Sequence, residues 1–239
     1  MIELRNVTKK FGNLTAVDNI SMTVPPGEFF GFLGPNGAGK TTTIKMMAGL
    51  FAPTSGQILI NGFDVVQNPI EAKSWTSYVP DQPFLYDKLT GREFLYFIGG
   101  LYKMKKKEVA RKIEEVIEHF EIGEWVDKRT EDYSQGMRQR VTIAAAFVHE
   151  PKVLIIDEPM VGLDPRSAKI VRETLHKMSA NGVSIFMSTH SLPMAEELCD
   201  RVGFIKDGRL VFLGTKEDLQ VYKQKYDGKF ESVFLELTK

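Results

Sequence analysis

At 239 residues, with 43% hydrophobic and 26% charged side chains, the chain is long enough for one large core and is ordinary in composition for a globular protein. Its 31 basic and 31 acidic side chains leave a formal net charge of zero, so charge gives no ground for a nucleic-acid partner. The single cysteine, Cys199, excludes an internal disulfide, and no apolar run approaches the roughly 18–20 residues of a membrane-crossing helix.

In chain order, MIELRNVTKKFG alternates and carries charge, unlike a signal peptide. Strands are predicted over IELRNVT, AVDNISMTV, EFFGFL and QILI, with Pro25-Pro26-Gly27 as a turn. GAGKTTTIKMMAGL reads as a helix and SYVP as a short strand. From residue 84 to 149 strand runs vanish and helical spacing dominates. VARKIEEVIEHF places Val109, Ile113, Val116, Ile117 and Phe120 on one face, and QRVTIAAAFVHE does the same with Val141, Ala144, Ala145 and Val148. Past Pro151 the strands return as VLII, VSIFM, RVGFI and RLVFL, with helices between and after them. This alternation implies a mainly parallel sheet covered on both faces, with the helical stretch inserted into it. Phe230, Val233, Phe234 and Leu237 fit one face of a docked amphipathic helix.

The stretch GPNGAGKT (34–41) fits G-x-x-x-x-G-K-[ST], between a strand and a helix as that motif requires. Glycines let backbone N–H groups converge on phosphates, and the helix N-terminus adds attraction for anions. Gly34, Pro35, Asn36, Gly37, Ala38, Gly39, Lys40, Thr41 and Thr42 are therefore candidate nucleotide contacts. Lys40 would reach the β and γ phosphates, and the Thr41 hydroxyl would hold Mg²⁺. No Asn precedes a Lys, so the N-K-x-D base reader of a GTPase is missing.

Ligands of open parallel sheets bind beyond the strands' carboxyl ends. EFFGFL leads into the cradle, VLII into Asp157 and Glu158, VSIFM into Ser188, Thr189 and His190, and SYV toward Asp81 and Gln82. Adjacent strand residues face opposite ways, so the two acids should differ in role. Asp157 is assigned to Mg²⁺, Glu158 to the attacking water and His190 to the γ-phosphate.

Taken in order, GPNGAGKT, YSQGMRQR (133–140), VLIIDEP (153–159), GLDP (162–165) and STH (188–190) resemble the ATP-binding cassette of ABC transporters over almost the whole chain. The resemblance implies a P-loop NTPase α/β core with a mainly parallel sheet, N-terminal antiparallel strands and an inserted all-helical subdomain. The core would occupy 1–83 and 150–225, the helical signature subdomain 84–149 and the amphipathic helix 226–239. In that family YSQGM is the signature usually written LSGGQ, whose helix tip meets ATP held by a partner cassette. Ser134, Gln135 and Gly136 are the contacts so implied, although Gln135 and Met137 depart from the usual residues. Phe11 matches the aromatic that stacks on adenine, Asp164 the residue that communicates across the dimer, and His190 the switch histidine. The glutamine that approaches Mg²⁺ falls on Asp81 by count. Either the loop shifts by one, giving Gln82, which is the assignment adopted, or a carboxylate takes the role.

The resemblance further implies ATP and Mg²⁺ as cofactors, a second cassette subunit (identical or not) and an integral membrane permease. Phe84, Leu85, Tyr86 and Phe94 would supply either a docking groove for that permease or the subdomain's own core. The protein would sit in the cytoplasm on the inner face of the cell membrane and hydrolyse ATP to drive transport, with YSxGM and the tail leaning toward export. The alternative is a soluble ABC ATPase of the iron–sulfur assembly kind.

Overall fold

Strands β1 (Ile2–Phe11) and β2 (Leu14–Val24) form an antiparallel hairpin that closes with Phe11 opposite Leu14. The computed structural model describes residues 1–225 and 230–237. The first strand runs three residues past its predicted end. Lys9 and Lys10 interrupt the apolar alternation but still pair with Val17 and Thr15. The extension puts Phe11 at the tip of the hairpin.

The chain continues through β3 (Phe29–Leu33), α1 (Lys40–Met47), β4 (Ser55–Ile60), β5 (Phe63–Asp64), α2 (Pro69–Ser74) and β6 (Thr76–Val79). Helices α3 (Gly91–Leu101) and α4 (Lys106–His119), a 3-10 turn (Thr130–Asp132) and α5 (Gln135–Ala145) follow. The remainder is β7 (Val153–Asp157), α6 (Pro165–Ala180), β8 (Ser184–Thr189), α7 (Leu192–Leu198), β9 (Arg201–Lys206), β10 (Arg209–Thr215), α8 (Lys216–Lys225) and α9 (Phe230–Leu237).

The central sheet has the order β10-β9-β3-β8-β7-β6 and is parallel except for the β9–β10 hairpin at its edge. A smaller antiparallel sheet, β2-β1-β4-β5, packs beside it. Residues of β3 alternate between two cores, as the period of two requires. Phe30 and Phe32 join the N-terminal sheet and α1, while Phe29 and Leu33 join the core shared with α3, α4 and α5. Cys199, at the end of α7, is buried against Gly31 of β3, where a Cβ would stand 2.7 Å from its sulfur.

The four helical elements fall inside the stretch predicted to be helical. Thr90 and Glu93 close a capping box at the start of α3. The apolar faces predicted for α4 and α5 are buried. β5 and α2 were not predicted, because two- and six-residue elements are too short to show a period. In α9, Val233 is buried and the Phe234 ring meets Phe204 with centroids 5.4 Å apart. The side chains of Phe230 and Leu237, the other members of that predicted face, and residues 226–229 and 238–239 lie outside the described residues.

Candidate active site

The segment between β3 and α1 doubles back on itself. Gly39 caps α1 with φ of 109°, and a Cβ there would stand 2.5 Å from the Ala16 carbonyl, so only glycine fits. The Lys40 ammonium donates to the carbonyls of Gly34 (2.6 Å) and Pro35 (3.1 Å), and the Ala38 N–H donates to Pro35 (3.2 Å). The N-terminus of α1 faces the same cavity.

That cavity, about 490 Å³, is lined by Asn36, Gly37, Gly39, Lys40, Thr41 and Thr42 on one wall. Phe11, Leu14 and Ala16 form an apolar end, and Asp81, Asp157, Glu158 and His190 the wall opposite. Phe11 is 44% exposed, rests edge-on against Phe51 with centroids 5.7 Å apart, and has the Lys9 ammonium 5.0 Å from its ring centre. It is thus half-exposed at the apolar end of the cavity, with Lys9 over its ring.

β7 and β8 end side by side, Asp157 opposite Ser188. Asp157 is buried, accepts from the Ser188 hydroxyl, and lies 3.5 Å from the Thr41 hydroxyl. Burial raises its pKa, the Ser188 hydrogen bond works against that, and the charges of Asp81 and Glu158 add to the rise. Burial lowers the pKa of Lys40, while Glu158 and Asp157 hold its proton on. Glu158 adopts φ of 49°, a left-handed conformation unusual for a side chain of its size. That turn swings its carboxylate to β8: Oε2 accepts from the Thr189 hydroxyl at 3.3 Å, and Oε1 accepts the His190 N–H at 2.8 Å. The His190 ring sits 2.7 Å from the same oxygen through Nδ1, with its side chain 70% exposed.

Register separates the two loop candidates that follow β6. Val79 pairs with Ile156, so Asp81 stands beside the Asp157–Glu158 end of β7 and lines the cavity. Gln82, one residue on, does not line it; its N–H donates to the Asp81 carboxylate at 2.9 Å. The hydroxyl of Thr41 beside the carboxylate of Asp157 is a hard-oxygen pair suited to Mg²⁺, which binds one or two such groups and completes its shell with water and phosphate. Among the described residues no group of three or more His, Cys, Asp or Glu could hold a metal by itself.

Ser134, Gln135, Gly136 and Asp164 do not line this cavity. Ser134 caps α5 by accepting the Met137 N–H at 3.2 Å. A Cβ on Gly136 would stand 2.8 Å from the Gly162 carbonyl, so this glycine has a reason inside its own chain: α5 packs directly on the loop after β7. Asp164 caps α6 through the Arg166 and Ser167 N–H groups, each at 3.0 Å, and lies 3.3 Å from Arg140. The Ser167 hydroxyl, which also donates to it, and then those bonds hold its carboxyl below the usual range. Gln139 and Arg140 stand in the quoted YSQGMRQR but carried no role in the sequence; their tie to the loop after β7 is a contact that spacing alone does not reveal.

The four aromatic-groove candidates divide. Leu85 and Phe94 are buried, while Phe84 and Tyr86 are exposed and continue edge-on to Phe97. A shallow groove of about 170 Å³ runs beneath Phe84, over Tyr102 and His149.

Residues 17–161 match the family described as ABC transporter. The chain is 39% identical over 219 residues to the linearmycin resistance ATP-binding protein LnrL of Bacillus subtilis, covering 92% of this chain and 70% of that one. A solved ATP-binding subunit of an ABC transporter superposes over the full length of both chains, with a TM-score of 0.94 and 32% identity. A dimeric ATP-binding cassette in a post-hydrolysis state with ADP and Pi superposes with a TM-score of 0.82 and 26% identity, over 90% of this chain and 98% of that one.

Proposed function

Because this chain belongs to the ABC transporter family, as an ATP-binding subunit and an ATPase, we propose that it hydrolyses ATP between two cassettes closed head-to-tail and drives export through a separate membrane subunit. The observation that carries this reading is the division of the chain: the cavity of Lys40, Asp157 and Glu158 excludes Ser134 and Gly136, which stand at the start of a different element, α5. A second cassette supplies the missing helix tip. The neighbour bound to ADP and Pi is itself dimeric. The resistance named for the Bacillus relative supports export, and the exposed Phe84, Tyr86 and Phe97 offer the membrane subunit an aromatic footing.

Phe11 stacks on the base, and the loop of residues 34–42 with the α1 N-terminus binds the phosphates. Thr41 and Asp157 would hold Mg²⁺, which would neutralise phosphate charge; Asp81, not Gln82, lines the same cavity. Glu158, both oxygens held by Thr189 and His190, takes a proton from the water whose oxygen attacks the γ phosphorus, as the bond to the β–γ bridging oxygen breaks. Lys40 leaves the Gly34 and Pro35 carbonyls to neutralise the phosphate oxygens. ATP retains the γ-phosphate that ADP lacks, so only ATP gives the partner's α5 tip an anion to bind and closes the pair.

The test is a disulfide between Asn36→Cys of one copy and Ser134→Cys of another, in a Glu158→Gln background alongside the membrane subunit. ATP should promote it and ADP should not. A crosslink indifferent to nucleotide would refute the head-to-tail arrangement.

A further inference from the structure

α5 does more than present its tip. Three successive contacts bind its flank to the loop that carries the base Glu158. Gly136 packs on the Gly162 carbonyl, and Arg140 reaches Asp164 and Ser167. Between them Gln139 donates its Nε2 to the carbonyl of Pro159, the residue directly after Glu158, at 3.3 Å. Gln139 is 1% exposed, and its Oε1 is buried without a donor among the described residues. An apolar side chain of the same length would avoid burying that oxygen, so what the amide adds here is the donated bond.

Glu158 needs such support. Its positive φ is a conformation that persists only when the surroundings over-determine it. From below it is held by the Ser188 carbonyl, which accepts its N–H at 3.1 Å, and from the side by His190. Proline cannot donate, so the turn after Glu158 is fixed through its carbonyl, and Gln139 takes that carbonyl.

We infer that Gln139 is a positioning residue for hydrolysis: it pins the Pro159 carbonyl to α5, keeps Glu158 turned toward His190, and makes the setting of the base follow the position of α5. Resting on the dimer reading above, this means that a helix tip engaged with the partner's ATP sets the base of its own chain. The geometric claim stands apart from that reading.

Gln139→Met keeps volume and removes the donor. Gln139→Glu presents a carboxylate to a carbonyl at neutral pH and regains an O–H donor only when protonated, which burial brings toward neutrality. In Gln139→Met we expect kcat to fall at least tenfold with KM for ATP within twofold of the parent. In Gln139→Glu the kcat ratio to the parent should climb as pH is lowered below 7. Without nucleotide, the ¹⁵N shifts of the His190 ring, assigned against His190→Gln, should move in Gln139→Met, because its contact with Glu158 loosens. An unmoved His190 signal, a kcat equal to the parent's, or matched losses in kcat and nucleotide affinity would overturn the assignment. If Gln139→Met does not fold, the pH trend of Gln139→Glu decides, and a flat ratio overturns it. If the dimer reading fails and neither protein turns over, the ring signal still decides the geometric claim.

Discussion

One carboxylate oxygen of Glu158 takes the backbone N–H of His190 at 2.8 Å and faces Nδ1 of the same residue at 2.7 Å. With the Nδ1 proton given to the carboxylate, the ring can also donate from Nε2 only when it carries both protons. The two residues proposed as base and phosphate donor are thus one hydrogen-bonded unit.

Removing the ring should therefore cost turnover rather than binding. His190→Ala is expected to lower kcat on the order of 100-fold, the usual size for a lost transition-state donor, with ATP affinity held within a few-fold. Steady-state turnover beside equilibrium nucleotide binding checks this; equal losses in both would place His190 in binding instead.

Asp81 and Gln82 should behave differently. Asp81→Ala should raise several-fold the Mg²⁺ concentration that half-saturates nucleotide binding, whereas Gln82→Ala should leave it unchanged. Titration of Mg²⁺ against a fluorescent ATP analogue reads this directly. A larger effect at Gln82 would return the role to the glutamine.

Here the limits of the sequence are plain. The phosphate loop and the ends of β7 and β8 were legible because one motif and apolar strands ending in polar residues are local signals. Asp81 against Gln82 was not, since a shift of one residue reverses which side chain faces the cavity and only pairing with β7 fixes the register. Phe11 was singled out by resemblance, but its place at a hairpin tip depends on Lys9 and Lys10 pairing across to β2. The intrachain reason for Gly136 was hidden, because the Gly162 carbonyl it meets lies 26 residues away and comes close only through tertiary packing.

That contact gives a stability prediction. A methyl at Gly136→Ala would press on the Gly162 carbonyl and should destabilise the nucleotide-free protein by about 1–3 kcal/mol, the range for an overpacked site. Ser134→Ala, which removes only the cap of α5, should cost about 1 kcal/mol. Urea unfolding of both variants tests the ranking; a more damaging Ser134→Ala would contradict it.

Acid should weaken the fold through His149. Its ring stacks on Tyr102 with centroids 3.4 Å apart, and burial pushes its pKa down to about 4. A depressed histidine is neutral in the fold while the unfolded chain takes up its proton near pH 6.5. Stability from this residue is thus complete above 6.5 and drains away between 6.5 and 4, by about 3 kcal/mol in total. His149→Phe keeps the stack and should flatten that part of the curve. Urea midpoints across this range supply the comparison, and parallel slopes for the two proteins would remove His149 as the cause.

The chain's one thiol makes a built-in gauge of opening. Burial drives the pKa of Cys199 far above its usual value, and its sulfur is sealed between α7 and the backbone of β3. An alkylating reagent reaches it only when α7 lifts from the sheet. The rate of labelling therefore times the rarest, widest excursions of the nucleotide-binding core, and ATP should slow that clock in proportion to how tightly it holds the sheet closed.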